Sequence, residues 1–268
     1  MSRPYAEVIG DPIAQSKSPK IHGFWLDRLG IAADYRACHV RPEELADYFA
    51  QRRADENWRG CNITMPHKQA AMPLLDAIDP AAARIGAVNT VVRDGAGHLT
   101  GHNTDAPGFL EPLGEARCST VTVIGAGGAA RAILAALADR GVGQVTLQNR
   151  SLDKGQALLA EFGLQGSVVA PGAEVPMADL LVNTSSLGMA GFPPMPPVER
   201  FVAPDGIVYD IVTTPLDTDL LKAARARGLR TIDGLAMLIG QAAVAFEKFF
   251  GAPAPRQHDG ELRKLLTA

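Results

Sequence analysis

The stretch GCNITMPHK, residues 60–68, runs an apolar strand pattern into a proline and then sets a histidine and a lysine side by side. Lysine belongs mostly on exposed faces, so Lys68 at the tip of a buried strand invites a chemical reading. A proton-bearing ammonium group can stabilise negative charge growing on an oxygen and then deliver the proton. Asp105, in GHNTD, offers a carboxylate in a similar setting. The fragments SKSP, GAVNT and GHNTD share the character of the first, with small polar groups at the ends of apolar segments. Ser16, Ser18, Thr64, Asn89 and Asn103 could together surround a polyhydroxylated molecule, with Lys68 and Asp105 adding one charge of each sign. Each residue also has a plainer reading. Ser18 before Pro19 suits a helix cap, Asn89 and Asn103 suit turns, Asp105 could cap the next helix, and Lys68 could be an exposed residue of a first helical turn. The recurrence of such fragments in one half of the chain favours the chemical reading.

The second half carries a different chemistry. TVIGAGGAARA places Gly125, Gly127 and Ala130 at G-x-G-x-x-A spacing, after an apolar strand and at the start of an alanine-rich helix. Gly125 permits the tight turn, Gly127 lets the backbone approach a pyrophosphate, and small Ala130 allows close helix–strand packing. The helix N-terminus then offers free N–H groups to the phosphates. A glycine-rich loop without a ligand is the alternative. In dinucleotide sites that bind NAD, a carboxylate about 20 residues on holds the ribose 2′-hydroxyl. Here the second strand ends LQNRS, with Asn149 and Arg150 at its tip and Lys154 beyond. A guanidinium grips a 2′-phosphate through paired hydrogen bonds, where a carboxylate would repel it. This pattern predicts NADP as the cofactor.

These residues need a frame to position them. Short apolar runs alternate with helical patterns, which predicts an α/β fold with mostly parallel strands. Strands are expected at AEVIG, DYRACHV and CNIT, with helices starting near Pro19 and Pro42 and a hairpin across VNTVVRDGAGHLTG. Further strands are expected at VTVIG, QVTLQN, DLLVNT, GIVYDI and RTID, and GFPPMPPVERF reads as a loop. DAPGFLEPLGEAR reads as part helix and part linker at a domain boundary, and GLAMLIGQAAVAFEKFFG as one long, largely buried helix returning to the first domain. Within that helix Gln241 is a polar group that needs a partner.

Composition bounds the function. The 268 residues carry a net charge of −3 with no basic run, which argues against nucleic acid or an anionic membrane as partner. No apolar segment suits a signal peptide or a membrane span. The 3 cysteines lack paired spacing and the 6 histidines lack ligand spacing, so reduced thiols, a cytoplasmic location and no metal are expected.

In order and spacing, GDPIAQSKSPKIH, GCNITMPHK, GAVNT, GHNTDAPGF, GAGGAARA, NTSSLGM and DGLAMLIGQAAVAFEKFFG resemble the successive motifs of the shikimate dehydrogenase family. The resemblance covers nearly the whole chain. It implies an α/β fold of two domains: a substrate domain from residues 1–103 and the C-terminal helices 233–268, and an inserted Rossmann-type NADP-binding domain, 104–232, with the active site in the cleft. It implies NADPH-dependent reduction of 3-dehydroshikimate to shikimate, or action on quinate, by a monomer or homodimer. Lys68 and Asp105 become the catalytic pair, and Ser16, Ser18, Thr64, Lys68, Asn89, Asn103, Asp105 and Gln241 the substrate residues. The cofactor residues become Gly125, Ala126, Gly127, Gly128, Ala129, Asn149, Arg150, Lys154, Thr184, Ile211, Gly234 and Met237. Three positions depart from the family pattern: Gln15 stands where a histidine is usual, Gly23 where an asparagine is usual, and Thr213 where a substrate-binding tyrosine is frequent. Two rivals stay open, a non-catalytic NADPH-sensing homologue and a dehydrogenase for another cyclic hydroxy acid.

Overall fold

The computed structural model describes residues 3–197 and 201–268. The chain divides into two compact units, one taking in the chain up to Gly108 and again from Ile239, the other Phe109–Leu238. The unit divisions at 108/109 and 238/239 lie a few residues beyond the expected junctions at 103/104 and 232/233. Both fall inside helices, α4 (Asp105–Leu113) and α8 (Gly234–Phe250), and neither falls in a linker. The prolines of DAPGFLEPLGEAR misled here. Pro107 lies in the first turn of α4, where a missing N–H costs nothing, and Pro112 is tolerated at its last turn.

The first unit holds β1 (Tyr5–Gly10), α1 (Ser18–Leu29), β2 (Asp34–His39), α2 (Leu45–Arg53) and β3 (Trp58–Ile63). It continues with β4 (Ala77–Ile78), α3 (Pro80–Ile85), β5 (Thr90–Arg93) and β6 (Leu99–His102), and after its return α9 (Asp259–Thr267). Its sheet runs β2-β1-β3-β5-β6-β4. The first three strands pair in parallel, and β3-β5 and β5-β6 antiparallel. The hairpin β5-β6 turns on Asp94, whose Oδ1 accepts from the N–H groups of Ala96 and His98 at 2.8 and 2.9 Å, with Gly97 at φ 88°. The sequence pattern missed β4. β4 has only 2 residues, too few to show alternation.

The second unit holds β7 (Thr120–Ile124), α5 (Gly128–Asp139), β8 (Gln144–Gln148), α6 (Leu152–Glu161), β9 (Gly166–Val169) and β10 (Ala178–Asn183). β11 (Val202–Asp210), α7 (Asp219–Ala226) and β12 (Arg230–Ile232) complete it. Its sheet order, β12-β11-β10-β7-β8-β9, is all parallel and is the doubly wound dinucleotide-binding arrangement. β9 was not expected from the pattern, because an edge strand of four residues with only its two valines partly buried is too short to show alternation. Residues 191–197 of the proline-rich stretch form no helix or strand, and 198–200 lie outside the described residues.

In the first unit, α1, β2 and α8 meet in an aromatic cluster. The His22 ring stacks on Tyr35, centroids 3.9 Å apart and planes within 2°, and makes an edge contact with Trp25, while Phe246 and Phe249 close the cluster. Burial pushes the His22 imidazole down from 6.5 to about 3, so it is neutral in the fold. The unfolded chain takes up a proton below about pH 6.5 that the folded chain refuses until far lower. The stability this histidine leaves intact above pH 6.5 is thus lost progressively as the pH falls towards 3. Both tryptophans, Trp25 and Trp58, lie in the first unit, so tryptophan fluorescence reports its unfolding alone. In urea titrations His22→Phe is expected to lose roughly 2 kcal/mol less stability than the wild type between pH 7 and pH 5. An equal loss in both proteins would contradict this origin.

Candidate active site

Lys68 lies in the turn that follows β3. The two neighbours of the HK pair part company there. His67 is buried and its Nε2 meets the Val40 carbonyl oxygen at 2.6 Å. Lys68 instead directs its Nζ to Asp105 Oδ2, at 2.5 Å, with side chains only 17% and 8% exposed. Its backbone is fixed by the Val88 N–H, which donates to the Lys68 carbonyl at 2.8 Å. Two charges withdrawn from water persist only when their remaining polar atoms are also satisfied. Asn89 does this for the carboxylate, its Nδ2 donating to Asp105 Oδ1 at 2.8 Å.

Asp105 opens helix α4, and Asn103 sets that helix start. The Asn103 Oδ1 accepts from the Asp105 and Ala106 N–H groups at 3.0 and 3.4 Å, and its Nδ2 donates to the Ala87 carbonyl at 2.9 Å. Asn103 is therefore a capping residue that aims Asp105. Gln241 finds the partners a buried amide needs: its Oε1 accepts from Thr104 Oγ1 at 3.3 Å and lies 3.5 Å from Asn89 Nδ2. Thr104 was missed by the sequence reading although it sits inside GHNTD. Its N–H donates to Asn89 Oδ1 at 2.7 Å, which joins Asn89 and Gln241 around one centre.

The serines and Thr64 stand on neighbouring loops. The Asp11 N–H donates to the Met65 carbonyl at 3.0 Å and the Thr64 N–H to the Ile9 carbonyl at 2.9 Å, tying the loop after β1 to the turn after β3. An added Cβ on Gly10 would fall 2.5 Å from Thr64 Cγ2, so this approach demands glycine. Ser18 does not cap α1 with its side chain. Ser16 Oγ accepts from the Ser18 N–H at 3.3 Å. Among the described residues no hydrogen bond joins Ser16, Ser18 or Thr64 to Lys68, Asp105 or Asn89. The Ser18 and Thr64 hydroxyls keep their hydrogen-bonding capacity for a ligand.

The second unit gathers the expected cofactor residues at the carboxyl edge of its sheet. Gly125 has φ 103°, and an added Cβ would meet Thr184 Oγ1 at 2.8 Å. Its N–H donates to the Gln148 carbonyl at 2.9 Å, and the Thr184 N–H to the Ile124 carbonyl at 2.9 Å. The loops after β7, β8 and β10 are thus bound to one another where the strand order reverses. Gly127 precedes α5 with no side-chain cap, and a Cβ there would project into open space. Together with Gly128, Ala129 and Ala126, that leaves the N–H groups of the first turn of α5 facing room for a phosphate, which fits a dinucleotide. Buried Ala130 completes the spacing. Gly234 lies against Ile211, whose carbonyl oxygen would be 2.4 Å from an added Cβ, and Met237 is buried within α8.

Asn149 and Arg150 follow β8. The Asn149 Nδ2 donates to the Ser151 carbonyl at 2.8 Å, so this amide shapes the turn. Arg150 and Lys154 are exposed and make no ion pair among the described residues, which leaves both cations to a ligand phosphate. The sequence reading also missed Asn183 and Asp210. Asp210, fully buried, accepts from Asn183 Nδ2 at 2.9 Å, Thr218 Oγ1 at 2.8 Å and the Val212 N–H at 3.1 Å. Burial raises its pKa against these bonds. It locks the loops that carry Thr184 and Ile211.

Three family models match this chain: the shikimate dehydrogenase substrate binding domain over residues 8–91, shikimate / quinate 5-dehydrogenase over 110–179, and the shikimate 5′-dehydrogenase C-terminal domain over 234–258. Shikimate dehydrogenase (NADP(+)) of Sphingopyxis alaskensis is 60% identical over 99% of this chain and 97% of its own length. The chain belongs to the shikimate dehydrogenase family. Members of that family with solved structures share the fold. Shikimate 5-dehydrogenase from Thermus thermophilus, in complex with NADP(H) and shikimate, superposes with a TM-score of 0.86 at 37% identity, covering 98% of this chain and 99% of that one. Quinate dehydrogenase from Corynebacterium glutamicum, in complex with NAD, superposes with a TM-score of 0.85 at 33% identity, covering 98% and 99%. The two-domain α/β architecture with a Rossmann-type NADP domain is that of the family.

The free cations after β8 set a test of cofactor choice. A charge-assisted hydrogen bond is worth about 1.5–3 kcal/mol, or about 10–150-fold in affinity. Arg150→Ala is expected to weaken NADP binding by that order and NAD binding far less, as read by calorimetric titration. Equal losses for both cofactors would remove Arg150 from the 2′-phosphate site.

Proposed function

We propose that this protein catalyses the reversible NADPH-dependent reduction of 3-dehydroshikimate to shikimate. The observation that carries the reading is the buried Lys68–Asp105 pair, with Asn89 on the second carboxylate oxygen and Asn103 capping the helix start that carries Asp105. The 60% identical relative is named for the same activity and cofactor. Bound NADPH supplies the hydride that reduces the carbonyl carbon.

As the carbonyl is reduced, negative charge gathers on its oxygen. Lys68 holds a proton for that oxygen, stabilising the charge and then transferring the proton to form the alcohol. In the oxidative direction the same amine receives it. Asp105 keeps the ammonium aimed and accepts from a substrate hydroxyl. Ser16, Ser18, Thr64, Asn89 and Gln241 orient the substrate's remaining hydroxyls and carboxylate, with Asn103 acting through Asp105. Glycines 125 and 127 and the start of α5 take the pyrophosphate, and Arg150 with Lys154 takes the 2′-phosphate. The enzyme works on a freely diffusing small acid, as a monomer or homodimer, in the cytoplasm.

Action on quinate is a second reading, favoured by Thr213 in the loop after β11 and by the similarity to a quinate dehydrogenase. The test of both is NADP reduction at alkaline pH with shikimate and with quinate. Shikimate is expected to be the better substrate by kcat/KM, and a preference for quinate would replace the first reading with the second. Lys68→Ala should lower kcat with shikimate by about 10²–10⁴ while leaving NADPH binding unchanged. A variant that kept more than about half of wild-type turnover in a single-turnover assay would refute the role given to Lys68.

A further inference from the structure

The hydrogen bonds behind Asp105 do not end at Asn89. Thr90 Oγ1 lies 3.0 Å from Asn89 Oδ1, Asn62 Nδ2 lies 3.0 Å from Thr90 Oγ1, and the Tyr35 hydroxyl lies 2.6 Å from Asn62 Oδ1. The chain runs across the sheet of the first unit, from β2 through β3 to β5, and all its members are buried.

Its direction follows from groups that can act in only one way. The Thr104 backbone N–H only donates, and it meets Asn89 at 2.7 Å, so the atom it meets is Oδ1 and the Asn89 Nδ2 faces the Asp105 carboxylate. The Asn89 backbone carbonyl only accepts, and Asn62 meets it at 3.3 Å, so the atom there is Nδ2. Thr90, accepting from that amide, has a single proton and two neighbours for it, Asn89 Oδ1 at 3.0 Å and Thr104 Oγ1 at 3.3 Å; the amide oxygen is the nearer and the stronger acceptor, and Thr104 Oγ1 has its own acceptors in Gln241 Oε1 and Asn89 Oδ1, so the Thr90 proton goes to Asn89 Oδ1. Tyr35, facing Asn62 Oδ1, must donate. Burial pushes the Tyr35 phenol well above its ordinary pKa, so the proton stays on the oxygen. The His22 ring, stacked at 3.9 Å, holds the phenol in place.

We propose that Tyr35, Asn62 and Thr90 form a one-way donor relay that sets the amide orientation of Asn89 and, through it, the carboxylate of Asp105 for its work with Lys68. Every bond of the relay points its proton towards the Asp105 carboxylate, and bonds aligned in this way polarise one another. The three are positioning residues, acting through Asn89. A reversed Asn89 amide would set its oxygen against the carboxylate and its nitrogen against the Thr104 N–H, two repulsive contacts at once. The proposal rests on the reading of Lys68–Asp105 as the reacting pair.

The test is a double-mutant cycle on single-turnover rates with shikimate and NADP, with melting temperatures measured alongside. Tyr35→Phe and Thr90→Val are each expected to slow turnover by about 3–10-fold, the worth of one net hydrogen bond, with KM for shikimate nearly unchanged. In an Asp105→Asn background the same changes should have almost no effect, because the carboxylate they act through is gone. Thr90→Ser, which keeps the hydroxyl, should recover most of the rate lost in Thr90→Val, and this pair carries the test if Tyr35→Phe does not fold. The same slowing in both backgrounds, or none in either, overturns the relay. A second readout needs no turnover. The Tyr35 hydroxyl proton, buried and donated to Asn62 Oδ1, should shift in proton NMR in Asp105→Asn, and an unmoved resonance overturns the relay whatever the rates. Failure of the parent reading looks different: wild-type protein that does not reduce NADP with shikimate, or Asp105→Asn at wild-type speed.

Discussion

A charged pair kept out of water dictates the architecture of the first unit. Lys68 and Asp105 are mostly buried, and the cost of removing two ions from water is several kcal/mol each unless good geometry and further hydrogen bonds offset it. The fold supplies these from every side. The turn after β3 brings the ammonium, the start of α4 brings the carboxylate, and Asn89 at the head of β5 bonds the second carboxylate oxygen. Asn103 fixes the helix start from below. Helix α8 can deliver Gln241 to this group only because residue 108 is glycine, since an added Cβ would lie 2.6 Å from the Gln241 backbone nitrogen. Removing any one anchor leaves a buried charge or amide without its partner, which is the costly direction of such changes.

The second unit depends on backbone geometry more than on side-chain charge. The left-handed Gly125 and the uncapped start of α5 exist to leave N–H groups available. Asp210 plays the part that Asn89 plays in the first unit. It is a buried polar group, satisfied by Asn183, Thr218 and a backbone N–H, that holds loops to one another.

Much of the candidate site is legible in the sequence because its polar residues come in contiguous fragments. GCNITMPHK and GHNTD each bring their functional residue on one turn, and the glycine spacing of GAGGAARA maps directly onto a strand–turn–helix unit. The relay behind Asp105 was not legible. Tyr35, Asn62 and Thr90 lie on three strands that become neighbours only through the order β2-β1-β3-β5 and the side chains' reach across it. The unit divisions fall five and six residues beyond the expected junctions because α4 and α8 run through them unbroken, and proline within α4 reads as a linker in the sequence. β9 and β4 were missed for want of length. Asn103 has a structural task that its fragment does not announce: its side chain accepts from the Asp105 and Ala106 N–H groups and so fixes the start of α4.

The central claim is that Lys68 and Asp105 work as one device. Its most direct test is the cycle Lys68→Ala, Asp105→Asn and the double variant, compared by single-turnover rates of shikimate oxidation. Residues that act as a unit show losses far from additive, so the double variant is expected to be no slower than the slower single variant. Losses that multiply, with each substitution costing the same factor whether or not the other is present, would show two independent groups and contradict the account.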